Sequence, residues 1–173
     1  ETVEIDATFY RIPTAAQVRS WASKVPEGFR IAAKVPQVIT HEKSLVDVEK
    51  ELELFLGAMD EAGEKLGPLL FQFPYFRRDA YASAKPFLER LAPVLDGLPR
   101  DRRFAVEIRN KTWVAEPLLS LLRDHGVLEN QRPGRAALDA ELPLFGPKRN
   151  AGRSLVDDER GEVLAVDLGK DEE

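Results

Sequence analysis

The 173-residue chain is long enough to bury one hydrophobic core and is short for two domains. Its net charge of −5 and its pI of about 5.3 argue against an extended nucleic-acid-binding surface, which needs many Lys and Arg side chains on one face. The absence of cysteine excludes disulfides and thiolate chemistry, and no apolar run is long enough for a membrane span, so we expect a cytoplasmic protein.

Four segments rich in β-branched and aromatic residues predict strands that begin near residues 1, 29, 68 and 103. The first predicted strand covers residues 1–10 (ETVEIDATFY), where apolar and polar side chains alternate. The others are FRIAAKVP, LLFQFP and RFAVEIRN. A helix is predicted to start at Pro13 and Thr14 and to end before Pro26.

A helix is also predicted after each of the next three strands. Ser44, Asp79 and Thr112 are the predicted N-caps of these helices. Four consecutive strand–helix units argue for parallel strands joined by right-handed crossovers, in either a doubly wound open sheet or a (β/α)8 barrel. One further strand, GEVLAVDL, is predicted near the C-terminus.

The polar residues within the strands favour the barrel. Strands of a sheet that helices cover on both faces read as nearly continuous apolar runs. In RFAVEIRN, Phe104, Val106 and Ile108 share one face, which places Glu107 and Arg109 on the other. The interior of a barrel accepts such residues near the C-terminal mouth. We therefore predict an α/β fold of the (β/α)8 TIM-barrel type, incomplete, with four strand–helix units in residues 1–126.

Several ordered motifs resemble a known family. The pattern TFYRIP-x4-V-x2-W, the segment K-x-P-x2-ITH, the strand end FQFP and the strand VEIRNKTW follow one another between Glu1 and about Gly126. Together they resemble the YecE-like family, also called domain of unknown function 72. The resemblance implies a TIM-barrel fold and leaves the activity unassigned.

The chain also departs from that family. The family's first strand is absent, and Tyr75 and Asn110 stand where proline and histidine are common. After Val127 the sequence jumps, so that strands six and seven of the family have no counterpart here. We therefore expect residues 1–146 to form a single partial barrel domain with a missing segment near residues 127–130. Residues 147–173 are expected to form a charged C-terminal tail.

The predicted barrel interior brings titratable side chains to the C-terminal ends of the strands. We predict general acid–base roles for Glu107, Glu4 and His41. Lys34 and Arg109 are predicted to bind the carboxylate or phosphate of a substrate. The complete predicted substrate-binding set is Lys34, Arg109, Gln72, Tyr10, Asp6 and Trp113.

Structural alternatives exist for the charged residues. Glu107 and Arg109 can form an ion pair that only orders the strand. Lys34 can neutralise Glu4 or Asp6, which is a more common role for such a lysine than a Schiff base.

The two histidines have structural alternatives as well. His41 can order its loop instead of acting as a base, and His125 is predicted to cap the C-terminus of a helix. No cofactor is predicted. A divalent ion is the less favoured alternative, because two cations share the predicted interior and no His-x-His spacing occurs.

These features predict a charged pocket in an enzyme or binder of a small anionic molecule. The alternative is a phosphate- or nucleic-acid-binding module without catalysis, which the acidic pI disfavours. The sequence indicates neither the substrate nor the oligomeric state.

Overall fold

Four parallel strands form the centre of the fold. The computed structural model describes residues 1–125 and 162–167. β1 (Thr2–Ile5), β2 (Arg30–Lys34), β3 (Leu66–Gln72) and β4 (Arg103–Ile108) pair as parallel neighbours in that order, and β5 (Glu162–Asp167) pairs antiparallel with β4. The predicted α/β class and the four parallel strands are confirmed. The described strands form an open sheet, with β1 at one end and β5 at the other.

Helices connect the strands. They are α1 (Ala7–Tyr10), α2 (Ala15–Lys24), α3 (Glu49–Met59), α4 (Lys85–Asp96) and α5 (Glu116–Asp124). The described residues also form a π-helix at Val38–Glu42 and 3₁₀ helices at Asp60–Lys65 and Lys111–Trp113. None of the helices that the structure describes is both long enough and apolar enough to cross a membrane.

The two faces of the sheet differ as the strand alternation predicts. The residues that face the helices form the main hydrophobic core and are Ile31, Ala33, Leu69, Phe71, Phe104 and Val106. The intervening residues Ala32, Leu70 and Ala105 are also buried, but on the opposite face. Polar side chains follow them on that face towards the carboxyl ends of the strands, so the second face is apolar at its centre and charged at one edge.

The first predicted strand is too long. β1 ends at Ile5, and residues Ala7–Tyr10 form α1. The backbone turns at this point, since the amide of Phe9 donates to the carbonyl of Asp6 and the hydroxyl of Thr8 donates to the carbonyl of Ile5. The β-forming residues of this segment indicated a strand, but the chain leaves the sheet here, and tertiary context overrides local preference.

The predicted caps at Ser44, Asp79 and Thr112 are wrong. α3 begins at Glu49, because Ser44 lies in a left-handed turn that follows the π-helix. α4 and α5 begin at Lys85 and Glu116, and each has a proline in its first turn. Proline is preorganised for that position and needs no partner for a backbone N–H, so it marked these helix starts better than the upstream polar residues did.

The start of α2 agrees with the prediction. Thr14 and Gln17 form a capping box, in which the Thr14 side chain accepts a hydrogen bond from the Gln17 amide and the Gln17 side chain accepts one from the Thr14 amide. The other end of α2 is held by Lys65, whose Nζ donates to the carbonyls of Ala22 and Val25 at 2.8 and 2.7 Å.

The remaining expectations concern the C-terminal part. The proposed gap near residues 127–130 and the domain boundary at residue 146 lie outside the described residues. Within the predicted tail, the structure describes only β5, which confirms the strand predicted from GEVLAVDL.

Candidate functional site

Lys34 joins the carboxyl ends of β1 and β2. Its Nζ lies 2.7 Å from Oδ1 of Asp6 and 3.1 Å from Oε1 of Glu4. The Asp6 contact is a hydrogen bond, whereas the Glu4 contact is an ion pair without hydrogen-bond geometry. The side chains of Lys34 and Glu4 are mostly buried, while Asp6 is exposed. Lys34 thus forms ion pairs with Glu4 and Asp6, the contacts expected if it neutralises either of these carboxylates.

In this arrangement the pKa values of Lys34 and Glu4 are both raised. Burial by itself would lower the pKa of Lys34, but the hydrogen bond to Asp6 and the nearby charge of Glu4 outweigh it, so the pKa of Lys34 is raised. Burial raises the pKa of Glu4, and the charge of Lys34 offsets this only in part. Lys34 is therefore a firmly charged ammonium rather than a Schiff-base nucleophile, and Glu4 holds a proton more readily than an exposed carboxyl.

A second group of polar side chains lies at the ends of β3 and β4. Glu107 is only 7% exposed, and its Oε2 accepts a 2.6 Å hydrogen bond from Nε2 of Gln72. Nε of Arg109 lies 3.6 Å from Oε1 of Glu107, too far for a hydrogen bond, and this buried nitrogen has no hydrogen-bond partner within the described residues. The carboxylate of Glu107 thus receives its side-chain hydrogen bond from Gln72, and the side chain of Arg109 stays 40% exposed.

His41 lies in the π-helix after β2, and its ring contacts two neighbours. The hydroxyl of Thr40 and Nδ1 of His41 are 2.8 Å apart and share a hydrogen bond. The ring of Phe9 meets the imidazole edge-on, with 5.0 Å between the ring centroids. Burial lowers the pKa of His41, and the positive charge of Arg109 lowers it further. The imidazole is therefore neutral at pH 7.

The structure brings most of the predicted residues together. In the register of the neighbouring strands Lys34 pairs with Leu70 and Gln72 pairs with Glu107, which places the two polar groups side by side at the carboxyl edge. The cluster at the carboxyl edge, called here the charged edge, consists of Glu4, Asp6, Lys34, His41, Gln72, Glu107 and Arg109.

The two predicted aromatic residues behave differently. Tyr10 is 72% exposed and contacts Phe9 edge-on, and Phe9 in turn contacts His41 of the charged edge. Trp113 is buried among Phe76, Tyr81 and Phe87 in the core. It packs with the core and is not brought to the charged edge.

Two residues that were not among the predicted site residues organise this region. Asn110 is buried, and its side chain accepts a 2.8 Å hydrogen bond from the amide of Phe76 and donates a 2.9 Å bond to the carbonyl of Phe76. It thereby ties the loop after β3 to the end of β4. Thr40, the partner of His41, is fully buried. Both are polar residues in the segments that follow a strand, which is the local signal that could have identified them.

His125 lies away from the charged edge, at the end of α5. His125 caps α5 as predicted, since its Nδ1 lies 2.7 Å from the carbonyl of Leu121, and its Nε2 lies 2.9 Å from Asp96. Within residues 1–125 and 162–167, no group of three or more His, Cys, Asp and Glu residues is arranged to hold a metal ion.

Comparison with known proteins matches the region that carries this site. The model of a family described as "Protein of unknown function DUF72" matches residues 1–130. The UPF0759 protein YunF of Bacillus subtilis (strain 168) is 28% identical over 134 residues, which cover 72% of this chain and 46% of the relative. A crystal structure of a DUF72 family protein (EF0366) from Enterococcus faecalis V583 superposes with a TM-score of 0.52 at 26% identity, covering 72% of this chain and 47% of that one. The chain thus spans about half the length of these relatives.

Proposed function

The chain belongs to the DUF72 family of proteins of unknown function, and from that premise we propose that it is an acid–base enzyme for a small substrate that carries a carboxylate or phosphate group. In this proposal Arg109 binds the anionic group, and the carboxyl groups of Glu4 and Glu107 exchange protons with the substrate. The observation that carries the proposal is the exposure and bonding of Arg109, whose side chain is 40% exposed and whose Nε has no hydrogen-bond partner among the described residues.

Arg109 is a better anion-binding group than Lys34. The ammonium of Lys34 already lies between two carboxylates, Glu4 and Asp6, so an incoming anion would meet a neutralised cation. Arg109 has one carboxylate nearby, at 3.6 Å, and that carboxylate is hydrogen-bonded to Gln72. A guanidinium in this state retains the planar set of donors that matches carboxylate or phosphate oxygens.

Two carboxyl groups in different surroundings suit proton transfer. Glu4 has a raised pKa because of burial, which brings it closer to the pH at which it can donate as well as accept a proton. Glu107 accepts a hydrogen bond from Gln72 and has Arg109 beside it. Carboxyl pairs with contrasting environments are typical of acid–base sites. We assign the proton-donating role to Glu4 and the proton-accepting role to Glu107.

The proposal includes a barrel setting for this site. Four adjacent parallel strands with their polar side chains at the carboxyl edge correspond to half of a (β/α)8 barrel, whose active sites lie at that edge. The chain spans about half the length of its relatives, which supports the same interpretation.

A titration with simple anions tests the binding step. Inorganic phosphate and succinate are titrated by isothermal calorimetry into the wild-type chain and into the Arg109→Met variant. Arg19→Met is the control, because Arg19 forms an exposed ion pair with Glu61 on the helical side of the sheet. Loss of charge-assisted hydrogen bonds should weaken binding to Arg109→Met by about tenfold or more. Equal affinity of all three proteins would contradict the assignment. Binding of an oligonucleotide with steep salt dependence would instead favour a nucleic-acid-binding module.

A further inference from the structure

The segment that carries His41 has an unusual backbone. It forms a π-helix at Val38–Glu42, and π-helical turns occur frequently at functional sites. Ser44, Leu45 and Asp47 then adopt left-handed φ angles of 46°, 67° and 49°. Non-glycine residues in this region are strained and persist only where the surroundings hold them.

Specific contacts hold this strained turn in place. Leu45 and Val48 are buried in the core. Nζ of Lys43 donates to the carbonyl of Asp47 and to Oε1 of Glu51, each at 2.8 Å. The turn therefore orients the preceding π-helix, and with it the side chains of Thr40 and His41.

The proton of the Thr40 hydroxyl determines the tautomer of His41. Thr40 is completely buried, and a buried hydroxyl proton needs an acceptor. Among the described residues, Nδ1 of His41 at 2.8 Å is the acceptor within reach. If the hydroxyl donates to Nδ1, this nitrogen carries the lone pair, and a neutral imidazole then bears its hydrogen on Nε2.

The surroundings of His41 keep the imidazole neutral and leave Nε2 for a ligand. Burial and the charge of Arg109 both lower the pKa of His41. Phe9 packs against the ring edge-on, and Nε2 has no hydrogen-bond partner within the described part of the chain. A neutral histidine with one free N–H is a hydrogen-bond donor of the kind that stabilises developing negative charge.

We infer that Thr40 holds His41 as the tautomer protonated on Nε2, so that His41 and Arg109 donate together to the anionic group of the ligand. This inference rests on the proposed function, because the ligand is the anion assigned to Arg109. It changes the predicted role of His41 from a general base to a hydrogen-bond donor. Thr40 is then a positioning residue that acts through His41.

Long-range ¹H–¹⁵N NMR of the histidine side chains tests the tautomer directly. The chain has two histidines, so a His125→Gln variant assigns the signals. At pH 7.5 the wild-type His41 should show an unprotonated Nδ1 and a protonated Nε2. Thr40→Val should lose this preference, and Thr40→Ser should retain it. Thr8→Val is the matched control, since Thr8 is equally buried but donates to the carbonyl of Ile5.

Phosphate titration connects the tautomer to binding. Added inorganic phosphate should shift the Nε2–H signal of His41 in the wild type and in Thr8→Val. Thr40→Val should bind phosphate about three- to tenfold more weakly, as expected for one misplaced donor, and Thr40→Ser should recover the affinity.

The outcomes separate this inference from the proposed function. A wild-type His41 protonated on Nδ1, or a Thr40→Val tautomer identical to that of the wild type, overturns the inference while phosphate binding at Arg109 stands. If the wild type binds neither phosphate nor succinate, both the inference and the proposed function are overturned. The tautomer of His41 is measured with Thr40 in place, so a Thr40→Val chain that fails to fold leaves the test intact.

Discussion

Gln72 and Glu107 are direct partners in the register of β3 and β4, and the amide of Gln72 donates a 2.6 Å hydrogen bond to the carboxylate of Glu107. This pairing explains how a nearly buried carboxylate is tolerated within a sheet. A buried charge is stable when its oxygens meet hydrogen-bond donors, and here the neighbouring strand supplies one.

Gln72→Leu should destabilise the fold. The change leaves Glu107 with Arg109 at 3.6 Å as its remaining described partner, and an unsatisfied buried acceptor costs about 1–3 kcal/mol. Gln72→Leu/Glu107→Leu should recover most of that loss, because neither member of the Gln72–Glu107 pair is then left without the other. The free energy of unfolding in urea is measured for the wild type, for both single variants, Gln72→Leu and Glu107→Leu, and for the double variant, which together form a double-mutant cycle. A double variant with the summed losses of the two single variants would contradict the pairing.

Lys34→Met should lower the free energy of unfolding by about 2 kcal/mol at pH 7. This estimate lies between the small contribution of exposed ion pairs and the about 3–5 kcal/mol lost when a fully buried pair is broken. The loss should be smaller at pH 5, since Glu4 can then take up a proton. Lys85→Met is the control, because Lys85 pairs with Glu89 on the surface. Equal stabilities of the two variants would show that Lys34 is not structurally important.

The pH dependence of stability should reveal the state of Glu4. Because burial raises its pKa above the ordinary 4.5, the folded chain binds this proton more tightly than the unfolded chain. The contribution of Glu4 to stability is therefore full below pH 4.5 and is lost as the pH rises through the raised pKa. The stability of the wild type relative to Glu4→Gln should fall from pH 4.5 to pH 7 in chemical unfolding.

Glu51→Gln is a control for that experiment, because the pKa of Glu51 is lowered whereas that of Glu4 is raised. The hydrogen bond from Lys43 lowers the pKa of Glu51, so its contribution is present above pH 4.5 and is lost as the pH falls. The stability of the wild type relative to Glu51→Gln should therefore rise with pH. Parallel profiles for the wild type and Glu4→Gln would mean that Glu4 titrates like an exposed carboxyl.

Asn110→Ala should cost about 2–4 kcal/mol, because the amide and the carbonyl of Phe76 both lose a buried partner. Hydrogen exchange at the Phe76 amide should become faster than in the wild type. Ser23→Ala removes one exposed hydrogen bond to Ser20 and should be nearly neutral. Unchanged exchange at Phe76 would show that the loop is held by other contacts.

Strand composition and alternation were enough to predict the four parallel strands and their two faces. Phe104 and Val106 lie in the core and Glu107 on the opposite face, as their positions in RFAVEIRN indicate. Helix starts were predicted less well. Ser44 illustrates the reason, since a π-helix and a strained turn, both held by tertiary contacts, occupy the place where a cap was expected.

Trp113 shows the limit of reasoning from strand parity. The residue follows β4 closely, but it lies in a 3₁₀ turn, where side chains no longer alternate, and it packs into the core. Tyr10 lies in α1 rather than in the predicted strand, and its edge-on contact with Phe9 depends on that helix.

The sequence by itself determined which side chains share the polar face, because successive residues of a strand point to opposite sides whatever surrounds them. Only the tertiary structure decided what each charge does there. The register between strands sets Lys34 between Glu4 and Asp6, joins Gln72 to Glu107, and leaves Arg109 partly exposed. Interactions between charges depend on distances and burial across strands, and neither quantity is encoded in the spacing of residues along the chain.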